Sequence, residues 1–189
     1  KTIGDRYTIK KVNGVKIGII GLTALDLMTL TLPNNVSDIK MLDADSVVNE
    51  GIKYMKKNKC DLIILLTHVG VDNDKMLAEK FYKDVDIIVG GHSHTPLFKP
   101  VIQNGVVIVQ AGSYGRYLGQ MELIVDRRKD TLAEYKAWLT ETVMDTAIND
   151  KAAGEKVDKM LEEIEGYLST VIGTLETDWK RGNTNESNL

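Results

Sequence analysis

The sequence is poor in cysteine and in histidine, with one of the first and three of the second among 189 residues. A single thiol, Cys60, excludes an internal disulfide and decides little about the compartment, since many exported proteins also lack disulfides. Its place before an apolar run marks it as a small buried hydrophobe rather than a nucleophile. No apolar run approaches the roughly 18 residues that span a bilayer. No secretory leader pattern opens the sequence, which begins at Lys1 without Met and stops at "NTNESNL", so either end is compatible with a processing boundary. No basic stripe suggests a nucleic-acid partner; the net charge is -3 and the pI about 5.7. The short "YMKKNK" run reads as the solvated end of a helix. Repeats and low-complexity segments are absent. What remains is 43% hydrophobic and 27% charged, an ordinary globular balance. The length suffices for one sizeable core, or one domain plus an appendage.

The apolar pattern alternates in type along the chain. "GVKIGIIGLT" is a buried strand bounded by glycine. Residues 24–42, with Pro33 and Asn34-Asn35, read mostly as loop. "DADSVVNEGIKYMKKNKC" predicts a helix capped by Asp43 or Asp45, with Val48, Ile52 and Met55 on its apolar face. The strand "LIILLTH" follows. Then comes a helix over "DNDKMLAEKFYKD", with Met76, Leu77, Phe81 and Tyr82 as its apolar side and Asp72 and Asp74 at its cap. The strand "VDIIVGG" completes an order of strand, helix, strand, helix, strand, which predicts an α/β fold with a largely parallel sheet. After Pro100, "GVVIVQAG" and "LGQMELIVD" predict two antiparallel strands joined by "SYGRY". From about Asp145 to Val171 the spacing of Val157, Leu161, Ile164 and Leu168 predicts a long amphipathic helix with one packing stripe.

All three histidines end strand-like segments. His68 closes "CDLIILLTH", and His92 and His94 follow "DVDIIVGG". The helix between the two segments makes a βαβ unit, whose right-handed crossover leaves both strands parallel, with their carboxyl ends at one sheet edge. Ligands of open α/β sheets bind at that edge. Adjacent strands lie ~4.8 Å apart, so the three imidazoles can share a pocket. In extended backbone the i, i+2 spacing also puts His92 and His94 on one side. Gly90 and Gly91 leave room for a bend or a ligand. Three neutral imidazoles suit Zn, Mn, Fe or Co rather than the oxygen-seeking Ca or Mg. A histidine-lined substrate pocket without metal is the alternative, and Tyr114, Arg116 and Tyr117, in the loop after "QAG", are candidates to line a substrate cleft.

"LLTHVG" followed by "IIVGGHSHT" resembles the last two metal-ligand motifs of the calcineurin-like metallophosphoesterases, in the branch of 5′-nucleotidases, UDP-sugar hydrolases and 2′,3′-cyclic-nucleotide phosphodiesterases. "NGVKIGIIGLT", "VVIVQAGSYGRYLGQMELIVD" and "RGNTNESNL" resemble flanking parts of the same family. The resemblance implies the second half of a four-layer α/β/β/α sandwich over residues 1–130, a helical linker over 131–178, and the start of a nucleotide-binding domain at 179–189. It implies two divalent metal ions (Zn, Mn or Co), with His68 and His92 on one and His94 on the other. It also implies a nucleotide or other phosphate-ester substrate and an extracytoplasmic location.

The family's earlier motifs (Asp-x-His, Gly-Asp and Gly-Asn-His-Glu/Asp) have no match, and neither does its general-acid histidine. The resemblance therefore implies an incomplete catalytic domain, inactive alone, whose N-terminal half lies elsewhere. Half of a face-to-face sandwich leaves apolar sheet surface uncovered, so a partner half, self-association or a compensating rearrangement is expected. Two other readings stay open: a non-enzymatic, degenerate half acting as an assembly module, and a metal-free α/β binding domain.

Overall fold

Two Asn-Gly pairs set the edges of the main sheet. Asn13 and Gly14 (φ 49° and 84°) form the tight turn between β1 (Tyr7–Val12) and β2 (Val15–Leu22), and Asn104 and Gly105 (φ 50° and 90°) form the turn between β5 (Val101–Gln103) and β6 (Val106–Val109). Both have positive φ at the two central residues, the turn whose twist matches flanking antiparallel strands. Between these edges lie β3 (Leu62–Thr67) and β4 (Ile87–Val89). The order is β1-β2-β3-β4-β6-β5, with β2, β3, β4 and β6 parallel and the edge strands antiparallel. The parallel α/β core expected from the sequence is present. The architecture comes from a computed structural model describing residues 5–143 and 150–174. The chain divides into two units, residues 1–142 and 143–189.

Residues 24–42 are mostly loop, as expected, with one short helix α1 (Leu27–Leu30) and a 3-10 turn at Pro33–Asn35. Helix α2 (Ala44–Lys57) starts at Asp43, whose side chain accepts from Ser46 N at 2.9 Å and so satisfies one of the free amides of the first turn. Its Val48, Ile52 and Met55 are buried. Helix α3 (Val71–Phe81) buries Asp74, Leu77, Ala78 and Phe81, a spacing of 3, 1 and 3 that makes one face. Here the sequence reading needs correction. Met76 and Tyr82 are 59% and 46% exposed, because they fall off that face. Asp74 is not a cap: Gly70 holds the N-cap position and Asp74 lies inside the core.

The two faces of the sheet are covered differently. Ile20, Leu65, Ile88, Val106 and Ile108 pack with the buried sides of α2 and α3. The opposite face carries Leu62, Ile87 and Val107, against which Met121, Leu123, Val125 and Leu132 pack. These last residues belong to β7 (Tyr117–Asp126) and β8 (Thr131–Glu141), an antiparallel ribbon of their own. Two expectations fall here. The strand of "GVVIVQAG" does not pair with that of "LGQMELIVD": β6 stays in the main sheet and β7 pairs β8. Residues 131–141, read as the start of a helical linker, are strand, because period-2 alternation continues through "TLAEYKAWLTE". The ribbon covers the amino-terminal part of the second face. Toward the carboxyl ends the cover thins: Ile64 and Val89 are half-buried and Leu66 is 52% exposed. Part of the expected bare apolar surface is therefore present, and part is relieved by the ribbon.

In the second unit, helix α4 (Lys151–Leu168) begins at Asp150, whose side chain accepts from Ala153 N at 2.7 Å. Val157, Leu161, Ile164 and Leu168 lie on the expected helix, and none is buried. Asp145 and the proposed domain start at 179–189 fall outside the described residues. Among the described residues no helix is long and apolar enough to cross a membrane.

Candidate functional site

The carboxyl edge of the sheet gathers two of the three histidines. His68 follows β3 directly, and His92 stands three residues beyond β4, its parallel neighbour. Their rings meet edge to face with centroids 5.2 Å apart. Gly91 makes this approach possible, since a Cβ there would come 2.9 Å from His68 Nδ1. Asp26, in the loop after β2, brings a carboxylate oxygen to 3.6 Å from His92 Nε2. His68 is exposed and His92 partly so, so the pair is open to a ligand.

His94 pairs with a different ring. Its ring meets that of Tyr114 at 5.6 Å. The expectation that His92 and His94 share a side assumed extended backbone. Both are instead in the left-handed region (φ 77° and 55°), and the alternation of a strand does not apply there. Tyr114, at 96% exposure, thus joins His94 rather than the His68–His92 pair. Arg116 is exposed, and its side chain forms no hydrogen bond or ion pair among the described residues. Tyr117 stacks edge-on against Phe98 at 5.3 Å.

Beneath this edge lies a set of polar groups in the core. Asp74 is fully buried; its Oδ1 accepts from Thr67 Oγ1 at 2.6 Å, and its Oδ2 has no partner. Burial pushes its carboxyl up to about 6, against the Thr67 hydrogen bond that lowers it. Gln110, 2% exposed, lies just past β6. Its Oε1 accepts from Thr95 N (2.8 Å) and Ser93 Oγ (3.1 Å), and its Nε2 donates to Gly91 O (3.2 Å). Gly91 O also accepts from Gly70 N at 3.1 Å, and Ser93 Oγ accepts from Val71 N at 3.3 Å. The loop after His68 and the loop bearing His92 and His94 are thereby tied to one another.

Neither Asp74 nor Gln110 was recognised from the sequence as a buried polar residue, although a signal existed for each. Asp74 falls on the helical stripe of Leu77, Ala78 and Phe81. Gln110 falls in register with the buried Val106 and Ile108, two residues apart on one face. A polar residue at a core position asks for an explanation. Asp26 has no such signal, since no period runs through its loop. Cys60 is buried as expected, and burial raises its thiol.

Two imidazoles are donors that Zn, Mn or Co accept, and Gly91 leaves room for the rings. The set is partial: among the described residues no three His, Cys, Asp or Glu side chains are gathered closely enough to hold a metal ion.

No family model matches the chain. It is 30% identical over 184 residues to a 5′-nucleotidase of Diplobatis ommata, covering 88% of this chain and 31% of that protein. It is 29% identical over 192 residues to the trifunctional nucleotide phosphoesterase protein YfkN of Bacillus subtilis (strain 168), covering 97% and 13%. A solved structure of YfkN, described as a calcineurin-like phosphoesterase, superposes with a TM-score of 0.70 at 22% identity, over 90% of this chain and 60% of that one. The 5′-nucleotidase precursor of Thermus thermophilus superposes with a TM-score of 0.73 at 26% identity, over 89% and 36%. The chain therefore spans about a third or less of the curated relatives it matches.

Proposed function

We propose, for a chain that belongs to the 5′-nucleotidase group of calcineurin-like phosphoesterases, that it supplies part of the metal site of a phosphoric-ester hydrolase acting on nucleotides. The observation that carries this reading is the approach of His68 to His92 at neighbouring parallel strand ends, within the segments "LTHVG" and "GGHSHT". His68 and His92 would hold one divalent ion and His94 a second, with Zn, Mn or Co as the candidates by donor chemistry. Such ions, when bound, neutralise and polarise the phosphoryl group, which is the main need of phosphoryl transfer.

The chain's own residues have narrower tasks. His68 and His92 present two ring nitrogen donors side by side. Gly91 keeps their space open, and Asp26 holds a carboxylate oxygen 3.6 Å from His92 Nε2. Tyr114, beside His94 and exposed, would meet a substrate base or sugar, and Arg116 its phosphate. No group here is placed as general acid, because all three histidines are assigned as ligands.

The chain alone should therefore be inactive as a phosphohydrolase, its missing ligands coming from an N-terminal half or from another copy. The partial donor set supports this. Extracytoplasmic location and lack of affinity for nucleic-acid polymers belong to the same proposal.

The test has two arms. Metal content is compared between the wild-type chain and His92→Ala after exposure to Mn or Zn; the variant should lose affinity by ~10–100-fold or more, and equal content would sink the ligand assignment. Separately, 5′-mononucleotides, cyclic nucleotides and UDP-glucose are offered to the chain alone and to a protein including the upstream half. Turnover should need the upstream half and stop with a chelator. General acid–base help alone is worth ~10²–10⁴-fold, so turnover by the chain alone near that of the longer protein would show the catalytic groups to be misplaced. Metal uptake with no turnover by either would favour the non-enzymatic assembly module.

A further inference from the structure

We infer that Gln110 is a positioning residue for the His92–His94 loop, holding its backbone in the shape that aims the two imidazoles. The inference rests on the proposed metal site and extends it to a residue outside the histidine motifs. His92 and His94 both sit at positive φ. Non-glycine residues are uncommon in that region and persist where the surroundings over-determine them. Among these surroundings one carboxamide reaches across the whole loop. Gln110 fills three hydrogen-bonding positions at once, with Gly91 O before His92, Ser93 Oγ between the histidines, and Thr95 N after His94. Its orientation is fixed, because a backbone N–H can only donate and a carbonyl can only accept.

The residue is 2% exposed and directly follows the core strand β6, so its backbone is anchored outside the loop it bonds. A half-satisfied amide in that place would be costly, which locks the loop and the amide together. Gly90 closes the arrangement from below. A Cβ there would come 2.2 Å from Asp74 Oδ2 and 3.3 Å from Gln110 Nε2. Asp74 and Gln110 thus crowd one glycine from two sides, α3 and the residue after β6, leaving no room there for a side chain. Through Gly91 O and Ser93 Oγ the same contacts reach Gly70 N and Val71 N, just past His68. Gln110 therefore sets the two histidine loops relative to each other.

The test uses the 189-residue chain with Gln110→Leu and Gln110→Glu. Glutamate keeps the acceptor for Thr95 and Ser93 but loses the donor to Gly91; leucine loses all three. Two readouts are taken. Amide hydrogen exchange is followed without metal, and Co(II) is titrated while its visible spectrum is recorded. In Gln110→Leu the Thr95 amide should exchange at least ~10-fold faster while Leu65 and Ile88 stay protected as in wild type. Co(II) affinity should fall ~10–100-fold with a changed spectrum. In Gln110→Glu the Thr95 amide should regain protection.

Unchanged Thr95 exchange in Gln110→Leu would overturn the inference. So would equal loss of protection in Leu65, Ile88 and Thr95 in both variants, which would make Gln110 an ordinary core residue. If the wild-type chain takes up no Co(II), the metal reading fails by itself, and the exchange of Thr95 still decides the role of Gln110.

Discussion

The amino and carboxyl ends of the main sheet's strands both hold buried or half-buried aspartates, and they treat them differently. At the amino edge Asp61 Oδ2 accepts from Lys16 N at 2.6 Å, its Oδ1 meets Arg127, and Asp86 Oδ2 accepts from Ile63 N at 2.8 Å. Burial raises Asp86, but two backbone donors, Ile63 and Leu132, work against that. These carboxylates staple the turns β1–β2 and β7–β8 to the strand starts. At the carboxyl edge Asp74 is buried more completely and keeps one oxygen unpartnered. A satisfied buried carboxylate reads as structure. An orphaned one beneath strained backbone reads as a place where the fold has accepted a cost near a site. Size is a poor guide here. A cleft of about 1060 Å³ lies at the amino edge, among Lys16, Asp61, Asp86 and Arg127, while the histidines stand at the other end.

The comparison can be broken most strongly at Gly90. Gly90→Ala puts a Cβ against Asp74 Oδ2, and overpacking of this kind costs about 3 kcal/mol. Denaturant unfolding would measure it. Asp74→Ala in the same chain should recover much of the loss, and strictly additive effects would show that the two do not press on each other.

Asp74→Asn should act in the opposite direction. The folded carboxyl titrates near 6, above its ordinary 3.8, so the folded chain binds more protons than the unfolded one between those values. Stability from this group therefore falls as pH rises through that window and stays low above it. At pH 8 the asparagine variant should be the more stable, by at most about 3 kcal/mol from a shift of about two units. Near pH 4 the gain should vanish. Melting curves at both pH values would decide, and a pH-independent difference would argue that Asp74 is not the titrating group.

At the satisfied edge, Asp86→Ala should destabilise by about 2 kcal/mol at neutral pH, because it strands buried backbone donors. A gain in stability there would erase the distinction between the edges. The smallest effect belongs to Arg127→Ala. Its side chain is 61% exposed and 3.4 Å from Asp61, so the loss should stay under about 0.5 kcal/mol and shrink with salt.

How much of this was legible in the sequence depends on the range of the interaction that decides it. Helix α2 and its Asp43 cap were legible, since the cap is a contact three residues long. Strands β2, β3 and β4 were legible from apolar runs. The edge strands β1 and β5 were not recognised, though Asn-Gly marked both turns. The three histidines were expected at one sheet edge; the rings of His68 and His92 pair there, and that of His94 pairs with Tyr114. The loop departs from extended backbone, with both histidines at positive φ and Gln110 bonded across it, a contact no spacing rule reports.

By itself, the sequence determined the periods: which residues could form a face, where the chain turns, and that the histidines end strands. Those follow from local sterics and from the geometry of helix and strand. The tertiary structure alone decided which polar residues stand in the core, that β7 leaves β6 to pair with β8, and which imidazoles meet. The reason is that those outcomes depend on groups far apart in the chain, such as Gln110 and Thr95 or Asp74 and Gly90, whose contact exists only once the sheet has assembled.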